Sequence, residues 1–497
     1  MAEGFLHVRE VSRRLVQASD PSDAPQVLAV SNLDLLDTDY PVTFVCVYPS
    51  PPAGSFDAVV ATFEAALPSF LNHFFPLAGR IVRSPATGLP EIHCNNEGAE
   101  VVVGDAGGVP LSSLDLSSMG ASLCRLRLPY DDRAVALSVQ LVSFACGGFS
   151  VLWSSSHVVA DGCATCMLID AWSRFVRNNG ALGVGGVVPF HDRGSVLQPR
   201  SPPSYGPSFG DAYTPDTPEH RVNVLANQSF VERLYLMEAR DVERLRRAAT
   251  REGEGCAAAR STTRMEAVSA FLWKALAGVV GDAGDARCRM GWWVNGRPHI
   301  SPSHRPGIGH DAAMHGYFGN AASFAVREAT VEEILRSPPP DVASLVREAV
   351  AATANPEHFQ ELVDWLEEHK PQKYVEAPIV GLGSPTLAVS WFASFRPDTD
   401  FGFGRAALAM PMVIRGRDCS GYMAVAARPG GDGDLFVSAF LWPRLAAALE
   451  SDAHGILKPL TPENLGFFTR KNASSFVRPH VTTRDLMAEK QTTTKVI

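Results

Sequence analysis

Apolar positions along this chain follow two different periods, and the switches between them mark its elements. Runs rich in β-branched and aromatic residues predict a strand over 27–50, where Val42, Phe44, Val45 and Val47 gather. Two more runs, 135–144 and 149–155, flank Cys146-Gly147-Gly148 and predict a hairpin. A spacing of 3.6 predicts a helix over 56–75, through Val59, Val60, Phe63, Ala66, Leu67, Phe70 and Leu71. A second such pattern follows Asp161, with Ala164, Leu168, Ala171, Trp172 and Phe175 aligned, and stops at Asn178-Asn179-Gly180. Further helices are predicted over 239–251, 262–279, 331–336, 341–353 and 357–368. Strands are predicted over 289–294, 386–392, 407–414, 421–427 and 434–440. The alternation follows no strict βαβ order, which favours an α/β chain with mixed sheets over a barrel or a Rossmann fold.

Residues 180–215 are rich in Gly, Pro and Ser and predict a crossover running over the surface between two domains. The resulting division is 1–200, a linker at 201–220, and 221–460, followed by a polar tail at 461–497 that is expected to be poorly ordered. A length of 497 residues fits two cores better than one. Hydrophobic residues at 46% and charged residues at 20% are near the globular averages, so apolar material is not limiting. The net charge of −9 argues against a nucleic-acid binder. There is no apolar stretch long enough for a membrane span and no basic-then-apolar leader, and the nine cysteines are scattered. A cytoplasmic protein with reduced thiols is expected.

Candidate chemistry centres on His157-Val158-Val159-Ala160-Asp161-Gly162, where the apolar strand ends and the helix begins. A histidine at a strand end can accept a proton near neutral pH and return it later. The spacing alone is weak, since chance supplies about one such pair in a chain of this composition. By spacing alone, a core histidine satisfied by backbone is favoured over the functional reading. A metal site needs further ligands, and His191-Asp192 and His310-Asp311 sit in predicted loops without a His/Cys cluster, so no metal is expected. Cys163-Ala164-Thr165-Cys166 reads as two buried helix thiols rather than a redox pair. No Gly-x-Ser-x-Gly elbow places a serine nucleophile. Asp400-Phe401-Gly402-Phe403-Gly404 reads by itself as a turn with two glycines.

Taken together, the His157 and Asp400 segments, about 240 residues apart, resemble the plant BAHD acyl-CoA-dependent acyltransferases, which carry His-x-x-x-Asp-Gly mid-chain and Asp-Phe-Gly-Trp-Gly later. Ser31-Asn32-Leu33-Asp34, Phe75-Pro76-Leu77-Ala78-Gly79-Arg80, Ala270-Phe271-Leu272-Trp273 and Gly316-Tyr317-Phe318-Gly319-Asn320 are similar to other family segments. The resemblance spans about 5–450. It implies a two-domain chloramphenicol-acetyltransferase-like fold with a central solvent channel, part of 385–415 returning to the first domain, and a monomer. It implies transfer of an aromatic (hydroxycinnamoyl) or short aliphatic acyl group from acyl-CoA, a co-substrate rather than a cofactor, to the hydroxyl or amine of a small plant metabolite, with the alcohol slightly favoured.

By the same resemblance His157 is the general base. Asp161 pairs with Arg297 in a structural role, and Asp400, Gly402 and Gly404 shape a distant loop. Ser390, Trp391 and Phe403 fall where the family lines its acceptor pocket, and Arg260, Ser261 and Thr262 near its CoA phosphates. Phe403 departs from the family's Trp, and Asn295 from its Asp. Ala393 stands where shikimate-using members carry an arginine, which argues against that acceptor. A catalytically silent binding protein is the alternative reading, and a Ser/His hydrolase a third.

Overall fold

The computed structural model describes residues 6–21, 27–36, 41–49, 55–131, 134–183, 186–196, 198–220, 230–251, 261–300, 314–370, 372–412, 420–431, 433–453 and 455–467. Two large mixed sheets dominate. The first has six strands, in the order Arg9–Val16, Ala99–Asp105, Leu137–Ser143, Phe149–Ser156, Pro41–Tyr48 and Leu408–Met412. The second has seven: Ala322–Thr330, Arg287–Asn295, Thr386–Trp391, Gly421–Ala427, Leu435–Leu441, Val231–Met237 and Lys458–Pro459. Leu408–Met412 leaves the second sheet's stretch of sequence and pairs antiparallel with Pro41–Tyr48, so a late strand of the chain completes the first sheet.

Alternation along Pro41–Tyr48 explains its near-continuous apolar run. Phe44, Cys46 and Tyr48 face the helices Phe56–His73 and Gly162–Arg177, whereas Val45 and Val47 face a core that includes Leu234, Leu236, Ala426 and Phe436 of the second sheet. A strand buried on both faces needs apolar residues at every position. The second sheet buries one face under Arg264–Asp282, Pro339–Thr353 and Pro443–Glu450. Its other face carries Trp293, Phe324, Ala388, Tyr422 and Ala424 in a separate cluster.

Two expectations from the sequence change. The strand predicted over 27–50 is broken: Asn32–Leu35 is a 3-10 turn, because the Ser31 backbone N–H and hydroxyl both donate to Asp34 and close a capping box. The crossover does not simply run over the surface either, since Arg193, Val196 and Phe209 are buried. Phe190 exchanges backbone hydrogen bonds with the 316–318 segment, N–H to the Gly316 carbonyl at 2.7 Å and its own carbonyl to Phe318 N–H at 2.9 Å, which draws the crossover inward.

Candidate active site

His157 is the first residue after the Phe149–Ser156 strand, and Asp161 caps the Gly162–Arg177 helix by accepting from Ala164 N–H at 2.8 Å. The three-residue turn between them is pinned by Val158, Val159 and Ala160, all buried in the first domain's core. Gly162 is required by packing: a Cβ there would lie 2.5 Å from the Phe392 ring.

His157 Nδ1 lies 3.0 Å from Asn320 Oδ1. The Asn320 amide nitrogen donates to the His157 carbonyl at 2.7 Å and to Asp34 at 2.8 Å, so its oxygen is the acceptor toward the ring. Nδ1 therefore carries the proton, and the lone pair sits on Nε2, the nitrogen a general base uses. His157 itself lines a cavity of about 210 Å³ between the two sheets.

Two buried ion pairs hold this arrangement from beneath. Asp161 and Arg297, each 5% exposed, form a two-pronged pair at 2.9 and 3.0 Å. Arg297 also donates to the carbonyls of Tyr317 and Gly319, and Asp161 accepts from Ala321 N–H. Burial alone would raise the Asp161 carboxyl, but the Arg297 charge and the bonds it accepts outweigh that and hold it below the usual carboxylate range.

The second pair joins Arg193 to Asp34 at 2.7 Å, with 0% and 1% of the two residues exposed. Arg193 donates to the carbonyls of Val158, Val159 and Phe318, while Asp34 accepts the backbone and side-chain N–H groups of Asn320. Residues 317–321 thus form a strap gripped by both pairs. Gly319 admits no side chain, because a Cβ would sit 2.6 Å from the Tyr317 hydroxyl and 3.0 Å from Arg193. Pattern reading missed Arg193, which lies inside a Pro/Gly-rich crossover. For Asp34 the Ser31-x-x-Asp34 capping spacing was the available signal.

The other predicted residues separate. Ser390 and Trp391 line the cavity, and Ser390 accepts a hydrogen bond from the Tyr422 hydroxyl at 2.8 Å. Phe403 is not among the lining residues. Its ring meets Phe149 edge-on at 6.0 Å, against the first domain's core. Asp400 Oδ1 accepts from Gly402 N–H at 3.0 Å and Gly404 N–H at 3.1 Å, in a turn where both glycines have positive φ, 85° and 82°. Phe401 is fully buried and packs near Phe63 and Trp153. Thr262 directs its hydroxyl to the Ala249 carbonyl, at 2.8 Å, and Ser261 is exposed. Arg260, His310 and Asp311 lie outside the described residues. Just beyond Thr262, Thr263 and Arg264 line a second cavity with Ser394 and Arg396. That cavity shares Trp293, Asn295, Trp391 and Phe395 with the first, so the two lie on either side of a common wall, and His157 lines the first.

Cys163 also lines the first cavity, but burial pushes its thiol up to about 11 and holds that of Cys166 well above its ordinary value, which makes both poor nucleophiles. His191 is buried, with Nε2 2.8 Å from the His73 carbonyl. Among the described residues no group of His, Cys, Asp and Glu gathers as a metal site, and no helix is long and apolar enough to cross a membrane.

Comparison with known proteins matches this chain at two levels. Vinorine synthase superposes with a TM-score of 0.61 at 19% identity, covering 91% of this chain and 99% of that one. TRI101 of F. graminearum, in complex with coenzyme A and T-2 mycotoxin, gives 0.67 at 17% identity, covering 87% and 99%. These likenesses concern the fold. Among curated proteins, anthranilate N-benzoyltransferase protein 1 of Dianthus caryophyllus is 28% identical, over 76% of this chain and 84% of its own. Putrescine hydroxycinnamoyltransferase of Oryza sativa subsp. japonica is also 28% identical, over 88% and 97%. The model of the Transferase family matches residues 6–454, nearly the whole described chain, and with it the chain belongs to the BAHD family of acyl-CoA-dependent acyltransferases.

Proposed function

We propose that this enzyme moves an aromatic acyl group, of the hydroxycinnamoyl or benzoyl kind, from acyl-CoA to a hydroxyl or amine of a small plant metabolite, with His157 as general base. The observation that carries the reading is the Asn320 contact, which leaves the lone pair on Nε2 of a histidine that lines the cavity. The curated relatives named above act as benzoyl and hydroxycinnamoyl transferases, and the aromatic walls Trp293, Trp391, Phe392 and Tyr422 suit a flat acyl group.

The steps follow from these positions. His157 Nε2 takes the proton of the acceptor O–H or N–H as the oxygen or nitrogen attacks the thioester carbonyl. The tetrahedral oxyanion collapses, the C–S bond breaks, and the imidazolium returns the proton to the departing thiolate. Both substrates occupy one channel, so no covalent acyl-enzyme is needed, and holding them in attack geometry supplies much of the acceleration. Asp161 and Arg297 act as positioning residues in this scheme, as do Asp34 and Arg193. Thr263 and Arg264, beside Thr262 in the wall of the second cavity, are the groups proposed to meet the CoA phosphates.

The enzyme is further proposed to be a cytoplasmic monomer. The free thiols of Cys46, Cys94, Cys124, Cys146, Cys163, Cys166 and Cys288 suit a reducing compartment.

Free-thiol release with a panel of acyl-CoAs and acceptors tests the reading, with product masses confirming the transferred group. Asn320→Ala is expected to lower kcat about ten- to hundredfold, the range for losing a hydrogen bond to a group that becomes charged, with KM little changed. An unaltered kcat would remove the tautomer argument. Thermal stabilisation by acyl-CoA without turnover would leave a binding protein instead.

A further inference from the structure

The face of the second sheet that borders the His157 cavity is uneven. Trp293 and Tyr422 rise from it into the cavity wall, whereas Gly291 and Ala388 leave it low. Gly291 pairs with Ala388, and Ala388 with Tyr422, so the low positions lie side by side on neighbouring strands. A glycine inside a strand weakens the sheet and often marks a close approach. Phe324, on the edge strand Ala322–Thr330, makes that approach. A Cβ on Gly291 would lie 2.1 Å from the tip of the Phe324 ring and 2.8 Å from the carbons on either side of the tip. The ring therefore lies across the neighbouring strand, over Gly291.

This placement props an indole. Trp293 is the cross-strand partner of Phe324, with the two ring centroids 4.7 Å apart, and Tyr422 meets the same indole edge-on at 5.7 Å. In a close-packed interior, a shift of one ring is passed to the next. Phe324 is buried and is absent from the described lining of both cavities, but Trp293 lines both and so stands in the wall between them. A group carried from the second cavity to His157 passes this indole. The acyl group makes that passage, because the coenzyme is proposed to lie in the second cavity and the base lies in the first.

We infer that Phe324, seated on Gly291, sets how far Trp293 stands into the acyl passage and so limits the acyl group to the width of one aromatic ring. This rests on the acyl-transfer reading above and deepens it. Phe324 touches no substrate; it is a positioning residue that acts through Trp293. Removing its ring lets the indole settle toward the sheet and widens the passage. A methyl added at Gly291 lifts the Phe324 ring against the indole and narrows it. The two changes fall on one contact yet move acyl selectivity in opposite directions, which a mere loss of packing does not do.

The test compares benzoyl-CoA with 2-naphthoyl-CoA, which is one fused ring wider, by thiol release with one competent acceptor. Wild type is expected to favour benzoyl-CoA in kcat/KM by at least about tenfold, the lower end of the range for a methylene-sized misfit in a pocket. Phe324→Ala is expected to shrink that ratio about tenfold, Phe324→Leu to shrink it less, and Gly291→Ala to enlarge it. A ratio unchanged in all three, or moved the same way by Phe324→Ala and Gly291→Ala, would overturn the proposal, as would a wild type indifferent to the second ring. Should Phe324→Ala lose its circular dichroism, Phe324→Leu and Gly291→Ala carry the same comparison. Calorimetric binding of both thioesters to the full-length protein needs no turnover. If no acyl-CoA supports thiol release, acyl transfer fails, yet binding ratios that shift in opposite directions in the variants still uphold the gauge. Equal binding of both thioesters to wild type overturns it.

Discussion

The His157 turn and the Asp400 loop are both short connections that sequence comparison singles out, yet they are built by different physics. The turn is held by two buried arginine–carboxylate pairs, Asp161–Arg297 and Asp34–Arg193, which meet on one strap of backbone at 317–321. Among the described residues the loop has no buried ion pair at its centre. One carboxylate accepts two backbone N–H groups, and Phe401 anchors the loop in an aromatic cluster. A reacting imidazole needs its orientation fixed to a fraction of an ångström, and buried charges with several directed bonds supply that. A loop that only closes the first domain's core can rely on packing and a turn.

Breaking the turn should therefore cost far more than loosening the loop. Asp161→Asn leaves the Arg297 guanidinium buried without its counter-charge, and a stability loss of about 3–5 kcal/mol is expected in denaturant unfolding. Replacing Arg297 by Met in the same chain should recover part of that loss. If the double variant is no better than Asp161→Asn alone, the pair is not what holds the turn.

Acid should also act on the turn's side of the molecule first. His191 lies two residues from Arg193, and burial pushes its imidazole down to about 4, with Arg193 lowering it further and the His73 carbonyl opposing. The unfolded chain binds this proton near the ordinary histidine value of 6.5 and the folded chain does not, so stability is full above that pH and is lost as pH falls from about 6.5 toward 4. The whole shift corresponds to at most about 3 kcal/mol. Unfolding of wild type and His191→Gln measured across that window should show a steeper loss in wild type. Parallel curves would clear His191.

The smallest effect belongs to the loop. Asp400→Ala strands two backbone N–H groups that partly reach solvent, and a cost of about 1 kcal/mol is expected, as for removal of a helix cap. A loss as large as that of Asp161→Asn would mean that the two connections are not different in kind.

How much of this was legible in the sequence follows the same division. Periodicity located the helices Phe56–His73, Gly162–Arg177 and Arg264–Asp282, each to within about three residues, because each buries one apolar face. It missed the strand Arg9–Val16, an edge strand that shows mostly charged and polar side chains to solvent, and Ala322–Thr330, another edge. The resemblance carried the eye to His157 and Asp161. Nothing local, however, tells that Arg193 leaves a Gly/Pro-rich crossover to lie beneath His157, since that contact spans 159 positions of sequence from Asp34 to Arg193. Asn320 stood in a recognised segment without a role, because the ring it touches is 163 residues away. Phe403 shows the opposite case, a residue placed at the pocket by analogy that the fold leaves half-buried against the first domain's core.

The central claim is that His157 performs chemistry while its neighbours hold it in place. Thiol release and unfolding measured side by side on His157→Ala test it most directly. A fall in kcat/KM of about a hundred- to ten-thousandfold is predicted, with the unfolding midpoint moved far less than in Asp161→Asn. Thiol release at the wild-type rate from the His157→Ala protein, with a competent acyl-CoA and acceptor, would contradict it.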